Sequence, residues 1–564
     1  EVAPPSMPQP APAGAPAWLL ADRAYQIAAA EFYVGQYDDA ALRFRQIAAD
    51  PNSPWHELAG YLVARAYIRQ ATMGRDESAS RVSMEAAEKQ LIAILADSRL
   101  AAVHHRSRML LDLVEARLHP AEYAGELGRR LARDDPDFEH DAGDLTLVLR
   151  RLSGRDAITM ARASDLADWL NAFRSNDPSV PAYALKRWQS THSAAWLAMA
   201  IAKAKSGDPG VADLLAAAAS LPQASPASAT VEFHRIRLLI AQNETGEARR
   251  LLQADLERPS LPLSALNSFK SERMQVAANL DDFLRFAQLP PAGLQGEFET
   301  AGMPGDSKDP HARLAISDEA ARALSHLFPM RLLADAAQSS ILVPHLHRDL
   351  ALAAWTRSAL LPAQQEIAVR LASTVAAADP SLAADMQAYR RTISESHSAA
   401  ARQFAGAFLI LQLPGLQPAV RPGFQRSTWG PGSDEGIRQI DNFRDNCWCS
   451  LKPPAPNSMN PQPAPAPPAI AFLNDQDRAA ASREWNELEA QGAGPDALAS
   501  AVLAYARHNP DDSRIPQALH LVVHAGRFGC NDEATGPLIH AAFGLLHSRY
   551  GQTEWAKKTP YWFK

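Results

Sequence analysis

The chain has 564 residues, of which 47% are hydrophobic and 21% are charged, so it can bury a core and is not a wholly disordered chain. Its formal net charge of −7 and its pI near 6.2 give no overall positive field for a nucleic-acid backbone. The most apolar run, residues 404–413, ends before Pro414 and is too short to cross a bilayer. We therefore expect neither a nucleic-acid partner nor a transmembrane segment.

The beginning of the chain indicates export. It starts with Glu1 rather than Met and continues as a Pro/Ala-rich stretch over residues 1–16, which we expect to be extended or disordered. Such a start is typical of a mature chain after removal of a signal peptide, although a chain trimmed at this point would look the same. The many Ala, Arg and Asp residues are typical of GC-rich bacterial genomes. These features predict a periplasmic or otherwise exported bacterial protein.

Two helices joined by a tight turn are predicted next. Apolar residues recur at helical spacing over residues 17–36, Gly35 interrupts them, and a second helix is predicted over residues 37–49, before Asp50-Pro51. Small side chains at Ala28 and Ala40 allow two helices to approach each other closely.

Five residues of this stretch, Ala28, Gly35, Tyr37, Ala40 and Phe44, have the relative spacing of the tetratricopeptide signature. The stretch therefore resembles the tetratricopeptide repeat family, in which Tyr37 and Phe44 would fill the space around the contact between the two alanines. The chain departs from the signature at Glu31, where the family prefers an aromatic residue. The resemblance implies helix hairpins that stack on one another and expose grooves for a binding partner.

Helical periodicity continues along most of the chain. A second pair is predicted at residues 54–72 and 84–97, with a polar insertion at 74–83, and a third at 101–118 and 120–133. A weaker match to the repeat occurs at Ala248, Leu252 and Pro259. The predicted fold is an all-α superhelical array of antiparallel helix hairpins. Its predicted segments are an extended N-terminus (1–16), tetratricopeptide-like pairs (17–135), degenerate helical repeats (136–290), a helical block (311–413), a Pro/Gly-rich crossing or linker (414–474) and a C-terminal helical unit (475–564).

Two motifs are similar to parts of known catalytic sites and lack residues that the chemistry needs. His56-Glu57 begins like a zinc-peptidase helix, but Gly60 stands where the second histidine ligand belongs. His347-Arg348-Asp349 begins like a protein-kinase catalytic loop, but Ala354 replaces the metal-binding asparagine. We expect neither motif to be catalytic.

A third motif, Glu395-Ser396, is similar to the helix of lytic transglycosylases that carries the catalytic glutamate. The glycine-rich continuation of that family is missing here, and a general-acid glutamate needs such surroundings to raise its pKa. We interpret Glu395 as a solvated residue at a helix start, and we predict no catalytic residue and no cofactor.

A metal site is the alternative interpretation of four residues near the end of the chain. His520 and His524 lie one helical turn apart, and Cys530 and His540 follow at a spacing that metal ligands can have. Histidine pairs on a helix face are more often structural or solvated, so we predict no metal.

The chain has three cysteines, Cys447, Cys449 and Cys530. An oxidising compartment favours pairing, and a bond between Cys447 and Cys449 would close a strained ring around Trp448. One of the two is therefore expected to pair with Cys530, and three reduced thiols are the alternative. The choice of Cys449 rests on resemblance, since exported bacterial helical proteins with a similar C-terminus carry Trp-Trp-Cys at this place.

The function predicted from these features is that of a non-enzymatic periplasmic scaffold that binds a protein or peptide partner. Two alternatives stay open. One is a cell-wall hydrolase or transglycosylase with an unrecognised site, and the other is a subunit of an outer-membrane or secretion assembly. For the scaffold and for both alternatives we expect no transmembrane segment, and any association with an envelope complex would be peripheral.

Overall fold

A computed structural model describes residues 7–74, 76–133, 138–152, 163–259, 261–290, 292, 314–396, 398–422, 438, 451, 465–528 and 532–562. In these ranges the secondary structure is almost entirely α-helical, which confirms the predicted all-α class. The only strands there are Gln288–Leu289 (β1) and Ala315–Ile316 (β2), which pair antiparallel with Gln288 opposite Ile316. The chain forms two compact units, Glu1–Lys203 (unit 1) and Ala204–Lys564 (unit 2).

Unit 1 is a succession of helices that pack on their neighbours in the chain. Its helices are α1 (Ala17–Tyr33), α2 (Tyr37–Ala49), α3 (His56–Met73), α4 (Glu77–Ala96), α5 (Ala101–Leu118), α6 (Pro120–Leu131), α7 (Phe138–Leu149), α8 (Asp165–Arg174), α9 (Val180–Thr191) and α10 (Ala194–Lys203). Helix α3 also contacts α5, its second neighbour. Each of the first six helices thus packs on the next one in the chain.

The first hairpin turns at Gly35. This residue has a φ of +87°, the left-handed conformation that glycine adopts without a steric penalty. The Gln36 N–H donates to the Glu31 carbonyl at 2.9 Å and the Gly35 N–H donates to the Phe32 carbonyl at 3.3 Å. These two bonds are the Schellman arrangement that satisfies the last carbonyls of a helix, so the turn follows directly from the local sequence.

A second hairpin in unit 2 repeats this turn with a different residue. Asn243 has a φ of +66° between Ser228–Ala241 (α12) and Thr245–Leu256 (α13). The Glu244 N–H donates to the Leu239 carbonyl at 2.9 Å, as Gln36 does in the first hairpin. Ala248 and Leu252, the weaker match to the repeat, are both fully buried in α13.

The prediction of a polar insertion at residues 74–83 is wrong for residues 77–83, because α4 begins at Glu77. Asp76 caps the helix, with its side chain accepting a hydrogen bond from the Ala79 N–H at 2.7 Å. The helix therefore begins about two turns before Met84, where its start was predicted. Met84 is the first buried residue of the helix. The residues of these two turns, 77–83, are exposed or only partly buried.

Unit 2 contains the remaining helices of the described ranges. They are α11 (Val211–Ser220), α12, α13, α14 (Leu263–Gln275), α15 (Leu280–Ala287), α16 (Asp318–His326), α17 (Met330–Ala336), α18 (Pro344–Leu360), α19 (Gln365–Ala378), α20 (Ala383–Glu395), α21 (Ala399–Gln412), α22 (Asp475–Glu489), α23 (Gly494–His508), α24 (Ile515–Phe528), α25 (Thr535–Tyr550) and α26 (Glu554–Lys558). One hydrophobic core includes residues from Met274 to Ala556.

That core contains residues from both sides of the Pro/Gly-rich stretch predicted as a crossing or linker. Phe404 of α21 stacks on Tyr505 of α23, with ring centroids 4.2 Å apart. The described flanks of the stretch also belong to this core, where Leu416 and Ile470 are each 2% exposed. The helical block and the C-terminal helices therefore share one core, and the finer segment boundaries stay predictions.

Candidate binding surface

The residues that carry the repeat resemblance lie inside the first hairpin or at its edge. Ala28 and Ala40 are fully buried and Phe44 is 2% exposed, all in one cluster between α1, α2 and α3. Tyr37 packs against the edge of the same cluster, and Gly35 forms the turn. These five residues stabilise the packing of the helices and do not determine which side chains lie on the outer surfaces of the helices.

Exposed apolar side chains distinguish unit 1 from unit 2. Of the large hydrophobic residues that are exposed in the described ranges, all but Leu263 and Tyr561 lie in unit 1, although it is the shorter unit. The most exposed are Tyr33 (81%), Met73 (65%), Trp18 (63%) and Val82 (63%). Single exposed apolar side chains are common on proteins, whereas apolar side chains grouped beside a cleft are typical of an interaction surface.

Two open clefts lie on either side of the exposed start of α4, and we call them the α4 clefts. The first has a volume of about 980 Å³ and reaches from Ala71 to Leu118. The second, of about 550 Å³, is lined by Tyr67 and Val82 among others. Asp76 and Ser78 line both clefts. The first two turns of α4, which include the exposed Val82, therefore form a ridge between two depressions, and the exposed Met73 precedes this ridge at the end of α3.

The α4 clefts combine apolar and polar groups. Met84, which is 4% exposed, lies in the wall of the first cleft together with Arg117. In the second cleft Gln70 Nε2 donates to Asp38 Oδ1 at 2.8 Å, which fixes the end of α3 to the start of α2. Apolar surface with a few oriented polar groups is the usual composition of a protein-binding patch.

A third cleft, of about 350 Å³, lies between α5, α6 and α7 and is strongly polar. Arg130 of α6 lies 3.4 Å from Asp112 Oδ1 and 3.6 Å from Asp141 Oδ1, and its Nε donates to Glu126 Oε1 at 3.4 Å. Asp112 and Asp141 are 3% and 2% exposed, and burial raises the pKa of Asp112. One guanidinium shared among three carboxylates joins three helices, which we interpret as a structural ion network.

The residues that begin the zinc-peptidase motif take part in ordinary helix contacts. His56 is the first residue of α3, and its Nδ1 lies 2.8 Å from the Ser53 carbonyl oxygen. Gly60, at the place of the missing ligand, faces α4, where Gln90 Nε2 donates to its carbonyl at 3.2 Å. A small residue at this position lets the two helices pack closely.

Two further motifs lie on helices of unit 2. Arg348 of the kinase-like sequence donates from Nε to Asp379 Oδ2 at 2.7 Å, which joins α18 to the end of α19. Glu395 is the last residue of α20, so the predicted helix start at this residue is wrong. The side chain of Ser396 bonds back to the Thr392 carbonyl at 2.6 Å, and the next helix begins at Ala399.

The histidines considered as metal ligands pack among other side chains. The rings of His520 and His524 lie 4.3 Å apart, and His520 Nδ1 is 2.7 Å from Thr559 Oγ1. Burial, with His524 and Lys558 nearby, lowers the pKa of His520 to about 4. Within the described part of the chain, no three histidine, cysteine, aspartate or glutamate residues are grouped so that they could hold a metal ion.

The predicted disulfide between Cys449 and Cys530 lies outside the described residues, as does Cys447. Among the helices that are described, none combines the length and the apolar composition needed to cross a membrane. In comparisons with known proteins, no family model, curated protein or solved structure matches this chain.

Proposed function

We propose that this protein is a non-enzymatic scaffold of the bacterial envelope that binds a protein or peptide partner at the α4 clefts. The observation that carries the proposal is the concentration of exposed apolar side chains in unit 1, with Val82 in the wall of the second α4 cleft and Met73 directly after Thr72, which lines the first. The resemblance of the first hairpin to tetratricopeptide repeats supports the scaffold role.

The energetics favour a partner at this place. Complete burial of a Met or Val side chain contributes about 1.5–3 kcal/mol, and each 1.4 kcal/mol is roughly a tenfold change in affinity. The side chains of residues 77–83 are exposed or only partly buried, so a partner can reach them. A partner that covers Met73 and Val82 would gain affinity without disturbing the buried hairpin contacts.

Site-specific photo-crosslinking in the native host tests the proposal. A photoreactive amino acid at Val82 should give a discrete crosslinked product, whereas the same residue at Leu263, which is 42% exposed in unit 2, should not. Mass spectrometry would identify the partner. Crosslinks of equal yield from both positions, or none from Val82, would contradict the proposed surface.

The purified partner then allows a quantitative test. We expect the double substitution Met73→Ser and Val82→Ser to weaken binding at least about tenfold, because both side chains lose their burial in the complex. Leu263→Ser serves as the matched control and should leave the Kd unchanged. Circular dichroism checks that each variant keeps its helical content.

A further inference from the structure

Asp496 is a buried carboxylate without a hydrogen-bond donor. It lies in the first turn of α23 in unit 2 and is only 3% exposed. Neither Oδ1 nor Oδ2 accepts a hydrogen bond from any described residue. Buried carboxylates are almost always paired with a cation or hydrogen-bonded, so this side chain requires an explanation.

The nearest charged group is a second carboxylate. Asp532 lies just before α25, where its Oδ1 accepts a hydrogen bond from the Ala534 N–H at 2.8 Å. A Cβ atom added to Gly492 would lie 3.4 Å from Oδ2 of Asp496 and also 3.4 Å from Oδ2 of Asp532. The two oxygens therefore border the same small space, which the absence of a side chain at Gly492 leaves open.

The electrostatics of this pair lack a positive charge. Burial and the neighbouring carboxylate of Asp532 raise the pKa of Asp496 to about 6; the nearby Thr535 hydroxyl opposes this shift, and no basic side chain of the described chain does. At neutral pH two like charges would then face each other, one of them in a low-dielectric interior. A bound cation would remove both the repulsion and the desolvation penalty.

We propose that Asp496 and Asp532 bind one divalent cation of the calcium class between the starts of α23 and α25. Calcium suits these residues because it prefers carboxylate oxygens, tolerates irregular geometry and accepts backbone carbonyls and water as its other ligands. Its two charges match the two carboxylates. The ion would connect α23 to α25 and so stabilise the C-terminal part of unit 2.

Calorimetry with calcium chloride and the full chain at pH 7.5, after treatment with a chelator, tests this site. We expect one ion per chain, a higher melting temperature in its presence, and the loss of both effects in Asp496→Asn and in Asp532→Asn. Either amide removes one charge while it keeps the shape of the side chain, so the variants should fold. Asp475→Asn, at a fully exposed carboxylate in the same unit, is the matched control and should bind like the wild type.

Two results would overturn the proposal. One is calcium binding that persists in both variants, which would place the ion elsewhere. The other is no response to calcium together with a stability that falls as pH rises from about 4 to about 6, and that no longer does so in Asp496→Asn. That outcome would mean that the two carboxylates share a proton instead of a metal ion.

Discussion

Glu31 and Arg43 form an ion pair that joins the two helices of the first hairpin. Arg43 Nε donates to Glu31 Oε1 at 2.6 Å, and the glutamate side chain is 7% exposed whereas the arginine side chain is 49% exposed. Glu31 stands where the tetratricopeptide signature prefers an aromatic side chain. The pair explains how a carboxylate can occupy this buried position, since Arg43 neutralises it from the surface of α2.

The unequal burial of the two partners predicts unequal effects of their removal. Arg43→Ala would leave a buried carboxylate without a cation and should destabilise the hairpin by about 3 kcal/mol. Glu31→Ala leaves an arginine that water can solvate, so its cost should be about 1 kcal/mol. Hydrogen exchange of the α1 and α2 amides, followed by mass spectrometry, measures both. Equal effects of the two substitutions would show that the pair is not the source of the stability.

A second prediction concerns the contact of Gly526 in α24 with Ile539 in α25. A Cβ atom on Gly526 would lie 2.3 Å from Ile539 Cγ1, so one of the two helices must shift to admit it. Gly526→Ala should therefore cost about 1–3 kcal/mol. Gly544→Ala, on the same pair of helices, meets nothing within 4 Å and should be neutral or slightly stabilising.

The double variant tests the origin of that cost. Ile539→Ala alone should cost about 2–5 kcal/mol through a cavity, but together with Gly526→Ala the cost should be clearly less than the sum, because the added methyl group occupies the emptied space. Urea unfolding followed by circular dichroism gives the three values. Strict additivity would mean that the two residues do not interact.

Local features of the fold could be predicted from the sequence. The turn at Gly35 and the adjacent start of α2 at Tyr37 depend on residues within a few positions of each other, and both are found as predicted. The start of α4 was missed because the polar residues around Ser80 are typical of an insertion. Asp76, a good N-cap residue followed by the acidic Glu77 in the first turn, was the available signal.

Long-range pairs could not be predicted in the same way. Asp112 and Arg130 share an ion network on two different helices, and Asp496 in α23 faces Asp532, which lies in the turn before α25. One sequence gives the period of each helix and contains no information on the distance between two separate faces. The partners of the buried charged residues can therefore be identified only from the three-dimensional packing of the helices.

The predicted disulfide between Cys449 and Cys530 leads to a direct experiment. Non-reducing peptide mapping of protein exported by its host should recover one crosslinked peptide that joins these two cysteines. Cys449→Ser should abolish the crosslink and Cys447→Ser should preserve it. The bond closes a loop of roughly 80 residues and would stabilise the fold by about 4 kcal/mol in the chain-entropy model. A crosslink from Cys447, or three free thiols, would contradict the prediction.

The last prediction concerns Glu272, a buried glutamate of α14 that makes the stability of unit 2 depend on pH. The side chain is 7% exposed, and Gln275 Nε2 donates to its Oε2 at 3.2 Å. Burial raises its pKa from 4.5 to about 7, with Arg237 opposing the shift and Glu319 adding to it. Between these two values the folded chain holds a proton that the unfolded chain has released.

The contribution of Glu272 should therefore be complete below about pH 4.5 and should be lost as pH rises to about 7, by an amount on the order of 3 kcal/mol. Glu272→Gln keeps a neutral side chain at every pH, so its stability relative to the wild type should increase across this interval and stay constant above it. Glu487→Gln, an exposed position, is the control and should show no such change. Urea midpoints of the three proteins, measured from pH 4.5 to pH 8, give the comparison. A constant difference between Glu272→Gln and the wild type would show that Glu272 does not titrate in this interval.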